Sequence, residues 1–287
     1  MSVAKLGVIG GSGMYQIEGL KDIEEVEVST PYGKPSDAFA VGTLEGLRVA
    51  FLPRHGRGHR VNPSEIPMRA NIYALKSLGV ERIIAVNSCG SFKEEIAPGH
   101  LLIPDQIIDR TKGRPGTFFD GGIVAHVPFA EPFCADLSDI LYAAAQDAGA
   151  TVHKGGTFVA MEGPQFSTKA ESFLHKSWGA SVIGMTVSPE AKLAREAEIC
   201  YASLACVTDY DCWHKTHEAV TIEMVLAIMA KNINAAKQII KIAAGRVSGQ
   251  RECTCASVLK NSIVTDSKSI PLQKKSDLEL LIGKYIK

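Results

Sequence analysis

Two aspartates, Asp209 and Asp211, stand two residues apart at the end of the apolar run Tyr201-Ala202-Ser203-Leu204-Ala205-Cys206-Val207. That run reads as a buried strand entering a loop, and in extended backbone residues i and i+2 project to the same side. Both carboxylates are therefore expected to face one pocket beyond the carboxyl end of the strand, where open α/β sheets hold their ligands. Two carboxylates crowded into a partly dry site raise the pKa of at least one of them. That suits a proton donor and leaves an acceptor for an amino group. A solvated acidic turn would carry the same residues, so the pair gains its meaning from its surroundings.

Other strand ends offer groups for an anion. Gly10-Gly11-Ser12-Gly13 follows the first apolar run and lets backbone and a hydroxyl approach a phosphate closely. It is not a dinucleotide fingerprint, because counting from Gly11 the last glycine position is Gln16, and it lacks the Gly-Lys-Ser/Thr end of a P-loop. A nicotinamide-dependent dehydrogenase thus loses its main signature. Pro53-Arg54-His55-Gly56-Arg57-Gly58-His59-Arg60 follows another strand; Arg54 supplies planar, permanent charge and His55 a neighbouring donor, while Arg57, His59 and Arg60 read as a solvated basic loop. Asn87-Ser88-Cys89-Gly90-Ser91 and Gly184-Met185-Thr186 add small and hydroxyl residues after two further strands. After one more, Glu162-Gly163-Pro164-Gln165-Phe166 presents a ring from a rigid turn, either to stack on a heterocycle or to join the core.

The elements that hold these ends alternate. Apolar runs at Leu6 to Ile9, Arg48 to Leu52, Arg82 to Asn87, Leu101 to Asp109, Thr157 to Met161, Ser181 to Gly184 and Cys200 to Thr208 read as strands. Helices are expected from Arg69 to Leu78, from Asp136 to Ala148, and from Pro189 through Ala197, the first two stopping at Gly79 and Gly149. The clearest helix follows Thr221 as N-cap, with Ile222, Val225, Leu226, Met229, Ile233, Ala236, Ile240 and Ala243 on one face. Such alternation predicts an α/β protein with a mostly parallel sheet covered by helices.

From Arg246 the character changes to a polar stretch through Lys275, followed by a short terminal helix expected from Asp277 to Lys287 with Leu278, Leu281 and Ile282 along one side. We read residues 1–245 as one domain and 246–287 as its appendage. The appendage holds Cys253-Thr254-Cys255, close enough for a tiny strained ring or for thiol exchange. No second Cys or His pair adjoins it to complete a tetrahedral metal shell, and two free thiols in an exposed tail are the other reading. Seven scattered cysteines do not make a secreted disulfide framework. Thirty-one basic residues balance thirty-one acidic ones, which argues against a nucleic-acid partner. No long apolar segment or leader is evident, so no membrane partner is expected and the cytoplasm is the expected location.

Gly10-Gly11-Ser12-Gly13, Arg54-His55-Gly56, Glu162-Gly163-Pro164-Gln165-Phe166, Gly184-Met185-Thr186, Pro189-Glu190 and Thr208-Asp209-Tyr210-Asp211-Cys212-Trp213 together resemble, in order and spacing, the 5′-methylthioadenosine phosphorylases, a branch of the nucleoside phosphorylases. The resemblance covers roughly Val3 to Ala244. It implies a single-domain nucleoside phosphorylase fold with a mixed, mostly parallel central sheet flanked by helices. It implies that phosphate attacks the ribosyl anomeric carbon while adenine leaves. On matching positions, Ser12, Arg54, His55, Ser88 and Thr186 would bind phosphate, and Met185 would pack under the ribose. Cys89, Gly90 and Phe166 would line the nucleoside site, with Phe166 stacked on the base and Asp209 and Asp211 at its N7 and amino edge. His126, Val220, Ile222 and Val225 would line the 5′ pocket, His126 arriving from a neighbouring subunit of a homotrimer or homohexamer.

The chemistry agrees. Breaking an N-glycosidic bond builds positive charge on ribose and negative charge on the purine, so the site needs an anion on one side and a proton for N7 on the other. Phosphate is then a co-substrate and no metal or organic cofactor is required. A 6-amino group needs acceptors, which favours adenine over the 6-oxopurines of a purine nucleoside or methylthioinosine phosphorylase. A non-catalytic nucleotide-binding module would need the ring and the anion loop but no carboxylate poised at N7. Two features depart from the animal branch. Asn87-Ser88 stands where animal relatives carry Thr-Ala, and the Cys-x-Cys tail is similar to bacterial and archaeal tails that occur with disulfides and hexamers.

Overall fold

The structure is a computed structural model that describes residues 4–11, 13–214, 222–247 and 249–286, the side chains of 222–226 excepted. Period-two alternation in its central strands sorts side chains onto the two faces of one sheet. In β1 (Leu6–Gly10), β5 (Arg82–Ser91) and β11 (Cys200–Tyr210), Leu6, Val8, Ile84, Val86, Ala202 and Leu204 join one apolar layer. Ile9, Ile83, Ala85, Tyr201 and Ala205 join the opposite one. Strands buried on both faces need helices over both. α2 (Ala135–Asp147) and α5 (Ile222–Arg246) cover the first layer through Leu137, Leu141, Ile239 and Ile240. α1 (Met68–Ser77) and α4 (Val187–Glu196) cover the second through Ile72, Leu75, Ala191 and Leu193. The outcome is the expected single-domain α/β fold, a mixed, mostly parallel sheet flanked by helices.

The remaining strands are β2 (Lys21–Val26), β3 (Phe39–Leu44), β4 (Leu47–Pro53), β6 (Leu101–Ile103), β7 (Gln106–Arg110), β8 (Val152–Lys154), β9 (Thr157–Met161) and β10 (Val182–Gly184). The sheet runs β2-β3-β4-β1-β5-β10-β9-β7, with β11, β6 and β8 leading off the other edge of β5. β5 is the fork. Its first half pairs in parallel with β1, its last residues pair antiparallel with β10, and β11 follows its other edge in parallel from Cys200 opposite Arg82. Because β4, β1, β5 and β11 are parallel, their carboxyl ends share one edge of the sheet. β10 enters that edge from the opposite direction, which carries Met185 and Thr186 onto it.

Several local readings change. The expected strand from Leu101 to Asp109 is two strands, because Pro104 has no N–H to donate and the Asp105 carboxylate takes the Gly156 N–H at 2.9 Å. The halves then part company, β6 joining β11 and β8 while β7 joins β9. Unread in the sequence were β2, β3 and β8, and also α3 (Lys169–Ser177), which opens with a reciprocal Thr168–Glu171 capping box. The terminal helix α6 (Leu272–Ile282) starts earlier than expected. Thr221, the expected cap of α5, lies outside the described residues.

Residues beyond Arg246 pack against the rest of the chain, with Leu259, Ile270, Leu278, Leu281 and Ile282 buried in the layer under α1 and α4. Glu198, 2% exposed, accepts from the Leu259 N–H (3.0 Å), the Tyr285 hydroxyl (2.6 Å) and the Lys284 ammonium (2.5 Å). The Cys-x-Cys pair is not an exposed tail: Cys255 is buried and Cys253 half-buried. Among the described residues, no helix is long and apolar enough to cross a membrane.

Candidate active site

The polar groups at the shared strand edge are held by buried contacts. Arg54, at the end of β4, is 3% exposed. Its guanidinium makes a two-pronged ion pair with Glu190 of α4 (Nε 3.2 Å, Nη2 3.1 Å) and donates to the carbonyls of Val86 (2.8 Å) and Ile9 (3.3 Å). Of the five N–H groups of an arginine, these bonds leave one, on Nη1. Glu190 also accepts from the Tyr201 hydroxyl at 2.8 Å, so this fully buried carboxylate is paired on both oxygens. The Gly10 carbonyl accepts the Arg54 backbone N–H at 3.0 Å, which ties the glycine loop to the arginine. Among the described residues nothing lies within 4 Å of where a Cβ on Gly11 or Gly13 would sit, apart from their chain neighbours. Ser12 lies outside the described residues.

His55 differs from its expected role as a donor. Its Nδ1 lies 2.8 Å from the Val61 carbonyl, which can only accept, so Nδ1 carries the proton and Nε2 of the neutral ring is an acceptor. Burial, with the neighbouring Arg54 charge, lowers its pKa to about 4. At neutral pH His55 thus suits a protonated phosphate oxygen.

Thr186, 7% exposed, is the N-cap residue of α4. Its hydroxyl accepts from Asn87 Nδ2 at 2.8 Å, and Asn87 Oδ1 accepts from the Ser203 hydroxyl at 2.9 Å. The Thr186 proton is left to donate onward. Ser88, next to Asn87, is exposed, and its carbonyl lies 3.2 Å from where a Cβ on Gly184 would sit. Arg54, Asn87, Ser88 and Thr186 therefore converge, as their places at strand ends suggest.

The carboxylate pair sits beside them. Asp209 pairs in register with Gly90 across a bulge at Thr208, and the Asp211 backbone N–H reaches the Ser91 carbonyl at 3.1 Å. A Cβ on Gly90 would stand 3.0 Å from Asp209 Oδ1 and 3.3 Å from Asp211 Cβ, so a side chain there would push the aspartates away from β5. Burial raises the Asp209 pKa, the Asp211 charge adds to this, and a 2.7 Å bond from the Thr208 hydroxyl opposes it. Asp211 is 9% exposed, and its Oδ2 is buried with no hydrogen-bond partner among the described residues. Such an acceptor costs free energy until a donor reaches it.

Cys89 is buried in the core, and its carbonyl lies 3.2 Å from the Thr208 hydroxyl oxygen, whose one proton it shares with Asp209. Met185 lies against Gly163, where a Cβ would meet its sulfur at 2.5 Å. Arg114 joins the two loops, bonding the Met185 carbonyl at 2.6 Å, the Glu162 carboxylate at 3.1 Å and the Glu162 carbonyl. Phe166 is 85% exposed and so is not a core residue. His126 is exposed on a segment whose backbone pairs with Ser262 of the tail. Val220 lies outside the described residues; Ile222 and Val225 fall in the first turn of α5, and their side chains lie outside them too. Asn87, Arg114 and Glu190 carry positioning roles that the sequence reading did not assign. The one available signal was their company, Asn87 beside Ser88 and Glu190 within the Pro189-Glu190 motif.

Groups able to hold an anion at parallel strand ends, beside a buried carboxylate pair, are what a nucleoside phosphorylase needs. The profile of the Phosphorylase superfamily matches residues 5–244, and the chain belongs to that superfamily. It is similar to S-methyl-5′-thioadenosine phosphorylase of Geobacter sulfurreducens, 58% identical over 98% of this chain and 99% of the relative. That of Chloroflexus aurantiacus is 58% identical over 99% of each chain. Among solved structures, a methylthioadenosine phosphorylase from an antarctic soil metagenomic library superposes with a TM-score of 0.95 at 46% identity, covering 98% of this chain and 99% of that one. The methylthioadenosine phosphorylase of Schistosoma mansoni in complex with adenine gives 0.82 at 35% identity, over 98% of each.

Proposed function

We propose that this chain cleaves the N-glycosidic bond of 5′-methylthioadenosine with inorganic phosphate, giving adenine and 5-methylthioribose 1-phosphate, as a pentosyltransferase of methionine and purine salvage. The observation that carries the reading is the buried Asp211 Oδ2, unpartnered among the described residues, beside an Asp209 whose pKa is raised. An acceptor and a proton donor set together match the amino group and N7 of adenine. Phosphate, held by the Arg54, Ser88 and Thr186 edge with Ser12 and His55, adds an oxygen to C1′ as the C1′–N9 bond breaks. The bonding pair departs with the purine, Asp209 delivers a proton to N7, and neutral adenine leaves. Phosphate is a co-substrate, and the reaction so written needs no metal or organic cofactor. His126, Phe166, Met185, Val220, Ile222 and Val225 complete the nucleoside pocket, the first across a subunit boundary of a homotrimer or homohexamer acting in the cytoplasm.

Phosphate-dependent turnover of methylthioadenosine, adenosine, methylthioinosine and inosine tests the assignment. Methylthioadenosine should give the highest kcat/KM, and a preference for inosine would transfer the chain to the 6-oxopurine enzymes. Asp211→Asn should narrow the methylthioadenosine to methylthioinosine ratio by roughly tenfold, the equivalent of one hydrogen bond of about 1.4 kcal/mol. An unchanged ratio would show that Asp211 does not read the six position. Thr186→Ala should raise the KM for phosphate roughly ten- to a hundredfold, the range for a hydrogen bond to a charged partner. Asn87→Ala should do the same more weakly, because it frees the hydroxyl without removing it. Nucleoside KM moving in place of phosphate KM would relocate the anion.

A further inference from the structure

Four cysteines far apart in the chain meet in space. Cys134, at the N-cap of α2, and Cys200, at the start of β11, complete around Cys253-Thr254-Cys255 the tetrad that the local sequence lacks. Their sulfurs all lie within 4.8 Å of one another, Cys200 and Cys253 at 3.3 Å, and all four are free thiols. A tetrahedron with metal–sulfur bonds of about 2.3 Å has sulfurs about 3.8 Å apart, so the tetrad is the right size for one ion. Four soft donors in a closed shell are the ligand set of structural zinc.

Positive charge borders the tetrad. Arg195 Nη1 lies 3.8 Å from Cys255 Sγ, and Cys134 caps the positive end of a helix. A cavity of about 230 Å³ reaches Cys134, Cys200 and Cys253, with Arg82, Arg246 and Arg251 as well as Asp136 and Glu252 on its walls. It offers an ion a way in.

We propose that Cys134, Cys200, Cys253 and Cys255 bind one structural zinc ion, which fastens the tail to the start of β11 and the N-terminus of α2. Binding displaces the thiol protons to solvent and changes no oxidation state. β11 separates the tetrad from Asp209 by roughly 30 Å of strand, so the ion supports the fold and takes no part in phosphorolysis.

The test uses the full chain purified under reducing conditions without chelator and then offered zinc. Elemental analysis should find about one zinc per chain. Cobalt(II) in its place should show the thiolate charge-transfer and visible bands of a tetrahedral sulfur site. Cys253→Ser/Cys255→Ser, which leaves β11 and α2 untouched, should lose the zinc and the cobalt spectrum while keeping wild-type kcat. A strong chelator should lower the melting temperature of the wild type and leave that of the variant unmoved. Substoichiometric zinc after reconstitution, iron in its place, equal zinc in the double variant, or the four sulfurs found paired as disulfides under these conditions would each overturn the proposal.

Discussion

Asp209→Asn is expected to lower kcat for methylthioadenosine by about a hundredfold or more, with KM little changed, because an amide cannot protonate the departing purine. The wild-type pH profile carries the same signature. Burial and the Asp211 charge raise the Asp209 pKa, so kcat should fall as pH rises through that value, and this limb should vanish in the variant. Stability supplies the control. A carboxylate whose folded pKa is raised binds more protons folded than unfolded between the two values, so its contribution is present at low pH and is lost as pH rises through the folded value. Asp209 therefore works against the fold near neutrality, and Asp209→Asn should unfold at no lower denaturant concentration than wild type. Near-normal kcat in a folded variant would remove Asp209 from the chemistry.

Arg54→Ala should cost about 3–5 kcal/mol of stability, because it strands Glu190, fully buried, without its partner. That loss is a large part of what holds a typical domain folded. Denaturant unfolding of Arg54→Ala and of Arg54→Met/Glu190→Leu separates two roles. The double variant should regain much of the loss, since removing both charges leaves neither unpaired. Both should bind phosphate poorly, because the one Nη1 proton left free is absent in each. Unfolding of Arg54→Ala at the wild-type midpoint would mean that the ion pair does not hold β4 to α4.

The sequence carried the centre of the sheet well. β1, β5 and β11 are buried on both faces, so their apolar runs were long and unambiguous. β2 hid because it is an exposed edge of Lys, Asp and Glu, made a strand by pairing with β3 and not by its own composition. α3 announced itself only through Thr168 and Glu171, since few of its side chains face the core. At the site, the residue types at strand ends were readable, but their allegiances were not. That Arg54 gives two of its five donors to a carboxylate 136 residues away, and that Val61 takes the one proton of His55, are facts of three-dimensional contact. The same limit hid the cysteine tetrad, whose members come from α2, β11 and the tail.

Glu198 serves two separate stretches of the tail with one carboxylate, at Leu259 and at Lys284 and Tyr285. Releasing either leaves the other holding a group that is newly exposed and free to turn toward water. Opening of this region should therefore be all-or-none rather than fraying inward from the terminus. Amide exchange near Leu259 and near Tyr285, 26 residues apart by their numbers, should then report a common opening free energy, as members of one cooperative unit do.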